Sequence, residues 1–188
     1  MTRLIESIRA EYQRYKALAE GAIAQLGDDQ LSTSGGDVDN SIATICWHLS
    51  GNLQSRFTDF LSTDGEKPWR ARDDEFAPRA VTRAELLAKW EAGWTVLFGT
   101  LAALTDEQLG ATVLIRGQEL KVHEALHRSV THASYHVGQI VYIAKALRGR
   151  EWNYLSIPPG GSTAYNQNPT RERPGAHAGT LGEPPRST

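Results

Sequence analysis

Residues 122–148 read VHEALHRSVTHASYHVGQIVYIAKALR and are followed by Gly149. Leu126, Val130, Ala133, Val137, Ile140, Ala144 and Leu147 recur at steps of three and four, the period of one helix face. The spacing therefore predicts a single helix from about Val122 to Arg148, buried along one side. Glycine enters the left-handed backbone region without a Cβ clash, so Gly149 is placed to end it. His132 and His136 sit four residues apart on this helix, hence about 40° apart around its axis, one turn above the other on a flank of the apolar face. Arg128 and Gln139 share that flank, whereas His123 and His127 project to the other side and are expected to face solvent.

Three more helices follow from the same reasoning. From Thr2 to about Gln25, the residues Leu4, Ile5, Ile8, Tyr12, Tyr15, Leu18, Ala22 and Ile23 write one amphipathic helix. The run from Gly27 to Asp39 is rich in glycine, aspartate and serine, so the chain turns there. Asn40 or Ser41 can accept from the first free amides of a second helix, whose inner face is Ile42, Ile45, Leu49, Leu53, Phe57 and Phe60 and whose end is expected near Leu61. Residues 62–80, STDGEKPWRARDDEFAPRA, have no apolar period and contain Gly65, Pro68 and Pro78. A connection that long lets the chain cross back along the bundle, so that helices two and three run in the same direction. Thr82 and Glu85 form a capping box opening a third helix that runs to about Leu104. Residues 112–122, TVLIRGQELKV, alternate about Gly117 and suggest a short hairpin or extended loop.

The fold class is thus all-α, a four-helix bundle with a long crossover between helices two and three. Trp152, Tyr154, Leu155 and Ile157 are expected to pack on the bundle, and the chain becomes rich in Pro and Gly after Gln167. The division is a domain over 1–166 and a flexible tail over 167–188.

Composition narrows the function classes. With 40% apolar residues in 188, the chain can bury one core, so one site is sought. Twenty basic residues against 22 acidic ones, with no run of five or six like charges, argue against a nucleic-acid partner or an acidic membrane surface. The charged N-terminus and the lack of any apolar window of about 18 residues give the cytoplasm as the expected location. Cys46 is the only cysteine, which agrees with a reducing compartment, and it reads as a small buried hydrophobe.

The second helix carries a polar stripe of its own: His48, Asn52 and Arg56, each four residues from the next. Two such stripes facing each other make a polar pocket inside the bundle. His132 and His136, with side-chain origins about 5 to 6 Å apart, can offer two imidazole nitrogens to one metal, and His48 supplies a third from another helix. Three neutral ligands leave coordination positions for water or substrate, as a catalytic site requires. Imidazole suits a divalent transition metal such as zinc, nickel or iron. The same residues also suit a buried hydrogen-bond network with no metal. In the crossover, mixed charges around Pro68 and Trp69 in DGEKPWR read as an anchored turn that pins the connection rather than as a lid over the site.

Four segments carry a resemblance. ICWHLSGNLQSRF (45–57), DGEKPWRARDDEF (64–76), THASYHVGQIVYIAKAL (131–147) and LSIPPGGS (155–162) resemble, in this order, the DinB-like (YfiT-like) superfamily of bacterial metalloenzymes, within a branch of unknown function. The resemblance covers about residues 1–168. It implies up-down-down-up topology and a metal held by one histidine of the second helix and two of the fourth, which carry over to His48, His132 and His136. Many relatives have a further histidine where this chain has Tyr135, a position facing away from the ligand flank. Characterised relatives include thiol transferases that use bacillithiol or mycothiol and a mycothiol-dependent maleylpyruvate isomerase. The resemblance therefore implies a divalent-metal-dependent thiol S-transferase, with a low-molecular-weight thiol as cosubstrate and a small electrophile as substrate. Asn52, Arg56, Arg128 and Gln139 are the candidates for orienting ligands or binding a carboxylate, and no residue is singled out as catalytic. Pairing of relatives through bundle faces implies a homodimer. The alternative is a non-catalytic metal-binding or dimeric structural module.

Overall fold

Local rules set the element ends. Ser41 accepts a hydrogen bond from the Thr44 amide and opens one helix; Thr82 and Glu85 cap each other and open another. The computed structural model describes residues 4–34 and 40–170. Its helices are α1 (Leu4–Ile23), the single turn α2 (Asp28–Leu31), α3 (Ile42–Phe57), α4 (Arg83–Ala103), α5 (Val122–Arg148) and α6 (Ser162–Gln167). Strands β1 (Thr112–Ile115) and β2 (Gln118–Lys121) form an antiparallel hairpin. Arg116 and Gly117 at its tip have φ of 56° and 71°, the positive values that a tight two-residue hairpin turn requires. Gly149, with φ of 54°, follows α5. The protein is mostly helical, with α1, α3, α4 and α5 packed as a bundle.

Contacts between helices give their directions. The Tyr12 hydroxyl donates to the Leu126 carbonyl at 3.0 Å, and Gln25, past the end of α1, bonds Asn153, past the end of α5, so these two run the same way. The Ser50 hydroxyl donates to the Lys89 carbonyl and the Thr100 hydroxyl to the Phe57 carbonyl, so α3 and α4 also run together. Lys16 meets Glu91 while Arg83 reaches the Ile23 carbonyl, which sets the second pair opposite to the first. Tyr12, Phe57, Trp90 and Trp94 fill the centre with edge-on and tilted ring contacts. A Cβ on Gly93 would lie 2.7 Å from the Ser50 Cα, so the close approach of α4 to α3 requires glycine there. Cys46 is fully buried in this core, and burial raises its thiol pKa well above the ordinary range.

Several expectations need correction. α3 stops at Phe57 rather than near Leu61, because Thr58 turns to extended backbone and Asp59 takes a φ of 49°. That turn sets Phe60 against Phe57, ring centroids 5.2 Å apart and tilted, and leaves Leu61 outside. Leu4, expected on the inner face of the first helix, is exposed. The stretch expected only to turn contains α2, with Leu31 buried. His123 is half-buried, its Nδ1 2.9 Å from the Leu109 carbonyl, while His127 is exposed as expected. Residues 1–3, 35–39 and 171–188, and with them the first residues assigned to the first helix, part of the first turn and most of the proposed tail, lie outside the described residues.

The crossover is pinned as expected, by the charged residues of DGEKPWR rather than by Trp69. Asp64 accepts from the Arg116 and Gly117 amides, the Gly65 amide donates to the Leu114 carbonyl, and Glu66 pairs with Arg56 and Arg116. Lys67 is buried over Thr63 and the Asp64 carbonyl. Trp69 is 56% exposed, so the anchor is 64–67, and the chain beyond is free to run inward to the histidines. A short 3-10 turn, Asp73–Phe76, packs against α3 there.

Candidate metal centre

His48 occupies the middle of α3 and is 4% exposed; His132 and His136 stand one turn apart on α5, His136 8% exposed and His132 half-buried. The structure brings the three together. One ring nitrogen of each lies within 4.8 Å of the others, and Nε2 of His48 is 3.2 Å from Nε2 of His132. Ring centroids are 4.6 to 5.2 Å apart, with the planes close to perpendicular.

Hydrogen bonds on the far sides of two rings decide what the near sides can do. His48 donates from Nδ1 to Glu75 Oε2 at 2.9 Å, and His136 donates from Nδ1 to Gln139 Oε1 at 2.7 Å. A neutral imidazole with its proton on Nδ1 carries a lone pair on Nε2. Acceptors behind the rings thus turn those lone pairs toward the common centre, the usual arrangement behind a metal-binding histidine. Burial, followed by the neighbouring His136 and His48, pushes the His132 pKa down to about 3. His136 is also lowered, first by burial, even though Gln139 acts in the other direction. Both rings are therefore neutral at physiological pH, the state a metal requires. The donor set fits a divalent transition metal.

Glu75 is held by a second partner. Arg70 donates to it from Nε and Nη2, each at 2.8 Å, in a two-pronged pair whose guanidinium is 2% exposed. Burial alone would raise the Glu75 pKa, but the hydrogen bonds from Arg70 and His48 outweigh it and hold the carboxyl below its ordinary range. Phe76 closes over His48 with ring centroids 4.6 Å apart.

The four supporting candidates separate. Asn52, Arg56 and Arg128 line a cavity of about 230 Å³ that opens beside His48 and His132. Arg56 also bonds the Gly65 carbonyl and Glu66, so it ties the crossover to α3. Gln139 lies outside that cavity and orients His136 instead. Tyr135 is 64% exposed. Glu75 and Arg70 escaped the sequence reading because they sit in a stretch with no period. A chemical signal was present: an imidazole ligand needs an acceptor for its other N–H, and DDEF (73–76) offers three carboxylates.

These features define a helical-bundle protein with a buried three-histidine cluster compatible with a metal ion. The chain belongs to the family described as Protein of unknown function (DUF1572), whose model matches residues 1–161. A solved structure, described as the conserved protein of locus from Enterococcus faecalis, is similar in fold. The TM-score is 0.62 at 18% identity, covering 80% of this chain and 100% of that one. No curated protein matches the chain. Among the described residues no helix is long and apolar enough to cross a membrane.

Proposed function

We propose that His48, His132 and His136 hold a divalent transition metal, zinc, nickel or iron, and that the protein is a metal-dependent enzyme transferring a low-molecular-weight thiol to a small electrophile. The observation that carries the metal reading is the pair of Nδ1–H bonds to Glu75 and Gln139, which leave Nε2 of His48 and His136 as acceptors aimed at one point. When bound there, a metal lowers the pKa of a coordinated thiol and supplies a nucleophile at neutral pH. The thiol proton goes to solvent and sulfur bonds the electrophilic carbon; in a substitution the leaving group departs with its electron pair, and in an addition the broken π bond's pair moves to the neighbouring atom, which takes a proton from solvent. No redox partner enters.

The chain's own residues supply neutrality, orientation and access. Neutral imidazoles leave the cation its full charge, which makes it a stronger acid toward an incoming thiol than a set containing thiolates. Glu75 holds the His48 proton on Nδ1 while its own charge is answered by Arg70. Asn52 and Arg128 face the cavity through which a small molecule reaches His48 and His132. The thiol chemistry is supported by the resemblance to the DinB-like superfamily. A non-catalytic site would fill every position from protein, yet Glu75, the carboxylate bonded to His48, is turned to Arg70 and the back of His48.

The test is a conjugation assay with a chlorodinitrobenzene reporter and a panel of cysteine-derived thiols, on protein loaded with zinc, nickel or iron and on the same protein after chelation. A rate at least about tenfold above the chelated sample is expected for one metal and one thiol. Equal rates across the whole panel would reject thiol transfer, while elemental analysis of those samples reads the metal site separately.

A further inference from the structure

The cavity beside the histidines has an unusual wall. Five arginines line it, Arg56, Arg70, Arg72, Arg116 and Arg128, and no carboxylate does. Their partners do not balance them. Glu66 alone faces three, at 3.1 Å from Arg56, 3.0 Å from Arg116 and 4.0 Å from Arg70. Glu75 answers Arg70, and a fully exposed Asp73 stands 3.8 Å from Arg72. Arg128 makes no ion pair among the described residues, and Arg72 otherwise rests on the Phe76 ring. With Asp64, which bonds the Arg116 amide and lies in the field of Arg56, counted beside these three carboxylates, five guanidiniums still leave one positive charge in excess before any metal is counted.

Two of the five are withdrawn from water: the Arg70 side chain is 2% exposed and that of Arg56 14%. Burial first, and then the charges of Arg70 and Arg116, lower the Arg56 pKa despite its bond to Glu66. Like charges held this close in a partly desolvated pocket favour an anion between them. Guanidinium forks match carboxylate and phosphate oxygens in shape as well as charge. The rest of the wall, Phe57, Phe60, Ile115 and Ala125, is apolar and suits a short carbon body.

We propose that this cavity binds a small organic oxyanion, its carboxylate or phosphate held by Arg72, Arg116 and Arg128 and its other end facing His48 and His132. As the substrate class of the enzyme this deepens, and rests on, the reading above; as a binding site it stands on the arginines alone. At about 230 Å³ the space admits a short-chain acid rather than a nucleotide.

Calorimetric titration of metal-loaded protein with succinate, methyl phosphate and the neutral succinamide tests it. Both anions should bind at least about tenfold more tightly than succinamide, and Arg128→Gln and Arg72→Gln should each weaken them by about tenfold, since both side chains are accessible enough to change without disturbing the core. The tighter of the two anions identifies the carboxylate or the phosphate source. Succinamide binding as well as succinate, or both variants binding as the unaltered protein does, would overturn the proposal. Repeating the titration after chelation separates the two claims. Anion binding retained without metal supports the arginine pocket whatever becomes of the enzyme reading. Binding lost with the metal and untouched by the arginine variants assigns the anion to the metal alone, which sinks the pocket and leaves the metal centre standing.

Discussion

Replacing His48 with alanine is expected to take the protein from about one transition-metal ion per chain to a small fraction of that. The two remaining imidazoles come from one helix, four residues apart, and a two-nitrogen site without the third ligand from α3 competes poorly with water and buffer. The substitution should leave the bundle folded. Glu75 keeps its paired bonds to Arg70, so no buried charge is stranded, and the apolar face of α3 is carried by Ile45, Leu49 and Leu53 rather than by the histidine. Elemental analysis of protein made without a histidine tag, beside a far-ultraviolet circular dichroism spectrum, reads both halves. An unchanged metal content with an intact helical spectrum would place the metal elsewhere.

A second large effect is expected from a residue that touches neither metal nor substrate. Gly51 lies on α3 directly under the Glu75 carboxylate. A Cβ there would come within 2.1 Å of Oε1 and 2.7 Å of Cδ. The carboxylate must then move, and it is the group that accepts from His48 Nδ1 at 2.9 Å and from Arg70 at 2.8 Å. Gly51→Ala should therefore weaken metal binding by about 10- to 100-fold, the usual effect of losing the acceptor behind a ligand. Helix stability works in the opposite direction, since alanine is favoured over glycine in a helix interior by about 1 kcal/mol. A chelator-competition titration separates the two, because a merely structural role would move the melting temperature and not the affinity. Equal metal affinity in Gly51→Ala and unaltered protein would show that Glu75 does not position His48.

What could be read ahead of the structure followed from periodicity. α5 was legible from Val122 to Arg148 because its apolar period persists over 27 residues and ends at a glycine. The capping box at Thr82 and the cap at Ser41 are local chemistry, settled within four residues. His48, His132 and His136 were legible because each sits on a regular helix whose inner face the apolar residues mark, so the direction of each side chain follows from its number. Glu75, Arg70 and Gly51 were not. The first two lie in a connection whose path depends on bonds made across the fold, Asp64 to the Arg116 amide and Glu66 to Arg56. The last has meaning only once that path is known. The same holds for Arg70 and Arg72 of the crossover and Arg116 of the hairpin tip, which meet Arg56 and Arg128, both legible on their helices, only in space. The end of α3 was misplaced because Phe60 continues the apolar period while the backbone at Asp59 does not continue the helix.

X-ray absorption at the metal edge, on untagged protein carrying its native metal, tests the assignment at its root. A first shell of about three imidazole nitrogens near 2.0 to 2.1 Å, completed by oxygen from solvent, is expected. A shell dominated by sulfur, or protein that retains no metal at all after gentle purification, would contradict it.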